Sequence, residues 1–199
     1  MTGRKGENTH MVATKELVER LKTFTTPELC DGLGLFHAMH HSVKPLFGEG
    51  VVAGPAVTVD LPTGESKLVP DVIEKLAPGD VLVIAARGNC ESASWGDFRS
   101  HLAARKCAAA VVIDGAARDL RGMREVGLPV FARGLCPGAA QKTGQGAYNV
   151  PVSCAGVVVQ PGDIVVGDEN GVIVMHPEEA EAAMSRALQK RNRESEQIR

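Results

Sequence analysis

Twenty residues separate Asp97 from the neighbouring pair Arg118-Asp119. Two carboxylates and a guanidinium at that spacing fit two successive strand-to-helix turns. Such a set could hold an anionic 2-keto acid beside a divalent cation. A guanidinium grips a carboxylate in a two-pronged fork, which suits Arg118. Mg²⁺ takes few protein carboxylates and keeps several waters, so Asp119 alone could anchor it. Asp97 could orient one of those waters as a proton acceptor. Backbone N–H groups of Phe98 and Arg99, at the start of the next helix, would offer a carboxylate a second contact. An aspartate at a helix start is most often only a cap, and Arg-Asp neighbours are common on solvated helix ends. From these residues alone, the site and the bland cap both stand.

The surrounding sequence must supply the elements that position them. VLVIAA (81–86) is a continuous apolar run of strand length, expected to be buried on both faces. A loop over 87–96 follows, and Asp97 is then expected to cap the helix FRSHLAARKCAAA. AAVVID (109–114) is the next strand, broken at Gly115, and Arg118-Asp119 opens the helix RDLRGMREVG. LPVFARG (128–134) is a further strand. Upstream, residues 13–23 have helical spacing at Leu17, Val18 and Leu21. Thr26 can cap a second helix with Pro27 at its first position, running through Leu29, Leu33 and Phe36. Residues 51–61 read as extended, and 69–80 as a helix ended by Pro78-Gly79. This alternation predicts parallel crossovers, whose ligands bind beyond the carboxyl ends of the strands. The last third has short strand-like runs, a hairpin signal at Asn170-Gly171 and a polar closing helix. The expectation is a flexible terminus over 1–12 and a single α/β domain over 13–199, with a central mixed or parallel sheet.

Composition narrows the function classes. A net charge of −2 gives no electrostatic case for nucleic acid or an anionic membrane. No apolar run approaches the roughly 18 residues of a membrane helix. The first thirty residues lack the apolar stretch of a signal peptide. Five scattered cysteines with no C-x-x-C pattern point to reduced thiols and a cytoplasmic protein.

Other residues could carry chemistry. His37, His40 and His41 could share a helical face and bind zinc adventitiously, although a surface or subunit-contact cluster is the blander reading. Arg133 could face the same site or form a structural ion pair. Arg87 and Asn89 could line the pocket. Trp95 fits core packing first and pocket lining second. Cys90 and Cys107 have no evident base partner and make poor nucleophiles. KTGQG (142–146) lacks the Lys-Ser/Thr of a phosphate loop.

WGDFRSHLA (95–103) and DGAARDL (114–120) together resemble the signature of the RraA-like family. GPAVTV (54–59), PGDVLVI (78–84), LPVFARG (128–134), VPV (150–152) and PGDIVVGDENGVIV (161–174) extend the likeness over roughly residues 15 to 185. That family includes regulator of ribonuclease E activity A and the class II 4-hydroxy-4-methyl-2-oxoglutarate (HMG) / 4-carboxy-4-hydroxy-2-oxoadipate (CHA) aldolases. The resemblance implies a β/β/α swivelling fold and assembly as a homotrimer or homohexamer with sites between subunits. In the aldolase branch it implies Mg²⁺ or Mn²⁺ anchored by Asp119, partly through water. Arg118 would bind the substrate carboxylate and steady an enolate, and Asp97 would position a catalytic water. The turn Gly96, Asp97, Phe98, Arg99 would bind the pyruvyl carboxylate. A glutamate from a neighbouring subunit's tail is also implied, with Glu194 and Glu196 as candidates. The implied activity is pyruvate release from 4-hydroxy-2-oxo acids, with oxaloacetate decarboxylation alongside. The alternatives are a non-catalytic regulator that binds a ribonuclease, and a diverged lyase on another 2-oxo acid. The 87–94 loop departs from the family pattern at Cys90 and Glu91, which bears on substrate identity.

Overall fold

The computed structural model describes residues 13–33 and 37–198. The terminus over 1–12 and Phe36 therefore lie outside the described residues. The chain begins with helices α1 (Lys15–Leu21) and α2 (Thr26–Leu33), then a short strand β1 (Lys44–Pro45) and the long strand β2 (Val52–Asp60). Three crossovers follow: α3 (Leu68–Ile73) to β3 (Val81–Trp95), α4 (Asp97–Arg105) to β4 (Ala110–Ala117), and α5 (Leu120–Val126) to β5 (Val130–Leu135). The remainder is β6 (Ala147–Tyr148), β7 (Val152–Cys154), β8 (Val157–Val159), β9 (Ile164–Asp168), β10 (Gly171–Met175), a 3₁₀ turn (Pro177–Glu179) and α6 (Ala180–Gln197).

One sheet runs β1-β5-β4-β3-β2-β9-β10, with β2 to β5 parallel and the flanks antiparallel, so the expected α/β architecture with a mixed sheet is present. β2 serves two partners. Val52–Pro55 pair with β9 and Ala56–Asp60 with β3. Side chains of the central strands alternate between two cores. Leu82, Ile84, Val111 and Ile113 pack on the side of α3, α4 and α5. Val81, Val83, Ala110 and Val112 pack on the other, with the β7–β8 hairpin. Helices α1, α2 and α6 form a third core against β9 and β10 through Leu21, Leu29, Ile164, Ile173 and Met184.

Several expectations need correction. The stretch 87–96 is mostly an irregular continuation of β3. Arg87 and Gly88 both take left-handed φ values (58° and 71°) and throw out a bulge; pairing with β4 resumes at Asn89↔Gly115 and shifts register again before Ala93↔Ala116 and Trp95↔Ala117. Gly115 does not end β4; a Cβ there would lie 2.8 Å from Asn89 O, so it permits close approach of the bulged neighbour. α2 is capped by Thr25, whose amide donates to Glu28 Oε2 (2.8 Å), while Thr26 bonds through Oγ1 to buried Asp168 (2.6 Å). The helix expected over 69–80 spans only Leu68–Ile73. The β9–β10 turn uses Glu169 and Asn170, with Gly171 already paired to Asp168. His37, His40 and His41 share no helix. The chain there runs extended along β10, with Ala38 bridged to Ile173. His37 Nδ1 contacts Val174 O (2.8 Å), and His40 Nδ1 contacts Ser42 Oγ (2.9 Å).

Candidate active site

The carboxyl ends of β3 and β4 reach the same edge of the sheet because the two strands are parallel and adjacent. Trp95 ends β3, and Arg118 and Asp119 follow β4. Arg118 N–H donates to Trp95 O (3.0 Å), which ties the two turns together. The cleft at this edge is lined by Trp95, Gly96, Asp97, Phe98, Arg99, Arg118 and Asp119, with Ser66, Ala139 and Lys142 on the far wall. All six residues singled out from the sequence meet there.

Gly96, in extended conformation, takes the cap position of α4, and Asp97 is the first helical residue. The expected Asp97 cap is therefore displaced by one position. Asp97 Oδ1 instead accepts from the Phe98 N–H (2.6 Å), which occupies one of the two amides expected to bind substrate. The Asp97 side chain packs on α5, where a Cβ at Gly122 would fall 2.7 Å from Oδ2. Asp119 precedes α5 in a left-handed conformation (φ 59°) that is unusual for a residue with a side chain. Its carboxylate does not cap the helix. It lies 3.2 Å through Oδ2 from Arg118 Nε and is 41% exposed. An aspartate strained at a helix start yet unused as a cap has a carboxylate available for another partner. A Cβ at Gly96 would lie 2.7 Å from this same Oδ2, so only glycine leaves Asp119 its place.

Arg99 is anchored by its side chain. Its guanidinium donates to Ser66 O (2.9 Å), Ser66 Oγ (3.2 Å) and Ser94 O. Burial, together with the positive charge of Arg118, lowers its pKa. Three cationic side chains, Arg99, Arg118 and Lys142, thus face two acidic ones, Asp97 and Asp119, around one cleft. That balance suits a polyanionic small molecule more than a neutral one.

A hydrated Mg²⁺ or Mn²⁺ is compatible with this donor set. Asp119 offers a partly solvated carboxylate with Asp97 lining the same cleft, and no closed cage is needed. Among the described residues no trio of His, Cys, Asp or Glu is spaced to enclose a metal.

Other candidates fall elsewhere. Arg133 pairs with buried Asp114 and donates to Ser42 Oγ (2.8 Å), a structural role. Arg87 binds Leu61 O (3.1 Å) and Asp60, and Asn89 bonds Ser92, so neither lines the cleft. Trp95 is both core and lining, with its Nε1 donating to Ser100 Oγ (2.8 Å). Burial pushes the Cys90 thiol up, away from nucleophilic use. Glu194 pairs with Lys190 (3.6 Å) on α6, outside the cleft of its own chain. The far wall of Ser66 and Lys142 escaped the sequence reading. It comes from two loops remote in the chain, and no local spacing links them.

Residues 26–174 match the RraA-like family, described as Aldolase/RraA. A putative 4-hydroxy-4-methyl-2-oxoglutarate aldolase of Halalkalibacterium halodurans is 37% identical over 175 residues, covering 88% of this chain and 83% of that one. The crystal structure of a Streptomyces coelicolor protein, described as an unusual member of the RNase ES inhibitor RraA family, superposes with a TM-score of 0.83 at 30% identity. It covers 95% of this chain and 99% of its own. The RNA-processing inhibitor RraA from Thermus gives 0.70 at 30% identity, over 76% of this chain and 92% of that one. With the fold, the matched span and these relatives in agreement, the chain belongs to the RraA-like family.

Proposed function

We propose that the chain is a divalent-metal-dependent carbon–carbon lyase that releases pyruvate from 4-hydroxy-2-oxo acids of the HMG/CHA type, with oxaloacetate decarboxylase activity. The observation that carries this reading is the convergence of Asp97, Arg118 and Asp119 on one cleft, with the Asp119 carboxylate not spent on its helix. A cation held at Asp119 would act as a Lewis acid toward the 2-keto group. Arg118, whose side chain is partly exposed at the cleft, grips the C1 carboxylate and offsets charge on the enolate. The Arg99 amide adds a contact at the start of α4. Asp97 holds the water that accepts the proton of the 4-hydroxyl as the C3–C4 bond breaks. The bonding pair moves into the pyruvate enolate, and a proton then added at C3 gives pyruvate. Oxaloacetate loses CO₂ to the same enolate and needs no base at C4.

Phe98 (70% exposed) and Leu135 (50% exposed) are apolar side chains left uncovered in the single chain. They support a homotrimer or homohexamer in which a neighbour covers the cleft and brings Glu194 or Glu196 to it. A monomeric mass by light scattering would remove that part of the reading.

The decisive assay follows pyruvate release from oxaloacetate, HMG and CHA, with Mg²⁺ or Mn²⁺ and with chelator, for wild type, Arg118→Ala and Asp119→Ala. Metal-dependent release lost in both variants is the expected result. A second reading, a non-catalytic regulator that binds a ribonuclease, is favoured by the RraA inhibitors among the structural neighbours. Folded, metal-supplied protein that releases no pyruvate from any of the three substrates but binds a ribonuclease stoichiometrically would establish that reading instead. Turnover of oxaloacetate alone would point to a diverged lyase.

A further inference from the structure

Glu65 is a buried carboxylate that the proposed reaction does not use. It sits in the loop after β2, and its two oxygens face opposite walls. Oε1 accepts from the amides of Ser66 and Lys67, both at 2.7 Å. Oε2 accepts from the Thr143 amide (2.8 Å), the Thr143 hydroxyl and the Gly144 amide (3.2 Å). A backbone ladder runs beside it. Gln141 N–H donates to Gly64 O (2.6 Å), and Ser66 N–H also approaches Gln141 O (2.9 Å). Five donors on one carboxylate hold it ionised and pull its pKa to about 2, with the Thr143 hydroxyl the largest cause.

The two segments joined in this way carry the far wall of the cleft. Ser66 receives the Arg99 guanidinium, and Lys142 precedes Thr143 directly. We infer that Glu65 is the positioning residue of the cleft. It latches Ser66-Lys67 to Thr143-Gly144, so that Arg99 and Lys142 stand opposite Arg118 and Asp119. This deepens the lyase reading and rests on it for its effect on turnover, though the latch itself does not.

Glutamine is the discriminating substitution. It keeps size and shape, but its single carbonyl oxygen can serve only one wall, and its NH₂ then meets donors on the other. Wild type, Glu65→Gln and Glu65→Ala are compared by hydrogen exchange and by pyruvate release from oxaloacetate with Mg²⁺. In Glu65→Gln, amides of residues 66–67 or 143–144 should exchange tenfold faster or more, with β4 amides unchanged. KM should rise at least tenfold while kcat falls less than threefold, because the far wall binds substrate away from the breaking bond. A purely structural role would lower thermal stability and active fraction without moving KM. Unchanged exchange overturns the latch. Faster exchange with unchanged KM overturns its positioning role and leaves the lyase reading intact. If wild type releases no pyruvate, the lyase reading fails, and exchange alone decides the latch. Should Glu65→Ala fail to fold, Glu65→Gln still decides.

Discussion

Asp119 keeps its place because residue 96 has no side chain. A methyl group there would sit 2.7 Å from Oδ2, well inside van der Waals contact, and the carboxylate would have to swing away. Gly96 has an extended backbone, so alanine is conformationally allowed and the effect is steric. Gly96→Ala should therefore fold with nearly unchanged thermal stability yet lose about a hundredfold in kcat/KM, the usual cost of misplacing a reacting group by an ångström. A variant of full activity would disconnect Asp119 from the chemistry. In the proposed lyase reading Asp97 would divide the two reactions, since only the aldol cleavage needs a base at the 4-hydroxyl. Asp97→Ala should damage HMG cleavage at least tenfold more than oxaloacetate decarboxylation; equal losses would reject that division of roles. The Asp97, Arg118 and Asp119 set was legible in the sequence because each lies at a strand-to-helix turn, where a short segment fixes the geometry. Ser66, Lys142 and Glu65 were not, since their meeting depends on which strands become neighbours. Nor could spacing foretell that Asp97 would turn back on the Phe98 amide.

At the level of elements, one glutamate shows how local and remote bonding combine. Glu28 closes the capping box of α2 with Thr25 and also binds Arg191 on α6 through Nε (2.6 Å) and Nη2 (2.9 Å). The Arg191 bond is the main reason its pKa falls from 4.5 to about 2. A lowered acid stabilises the folded state fully above about pH 4.5, and that contribution fades as pH falls toward 2. The pair is partly solvated, so about 1 kcal/mol is a fair expectation. Urea unfolding of wild type and Arg191→Ala should differ by that amount at pH 7, and the gap should shrink toward pH 3. A gap independent of pH would mean Arg191 acts through packing on Phe24, whose ring centre lies 4.7 Å from the guanidinium carbon. The capping pattern was readable one residue away from its true position. The preference of Thr26 for Asp168 was hidden, because that partner lies on β9. The bulge in β3 was hidden too; a left-handed non-glycine residue at Arg87 leaves no mark in composition.

Over the whole molecule, alternating apolar runs and helical segments declared the parallel crossovers, since each buried strand must be covered on both faces. What they could not declare was the division of β2 between β9 and β3, which joins two sets of helices through one continuous strand. The core of α1 and α2 is completed by β9, β10 and α6, from the far end of the chain. During synthesis, at about 5–20 residues per second, Leu33 leaves the ribosome roughly 7–26 s before Ile164, the first of these partners, follows. Over that interval Leu17, Leu21 and Leu29 have none of their C-terminal partners. The parallel strands β2 to β5 can pair meanwhile. Helices α1 and α2 are thus made well before the strands and helix that cover them, and during that interval they offer apolar side chains to whatever holds nascent chains.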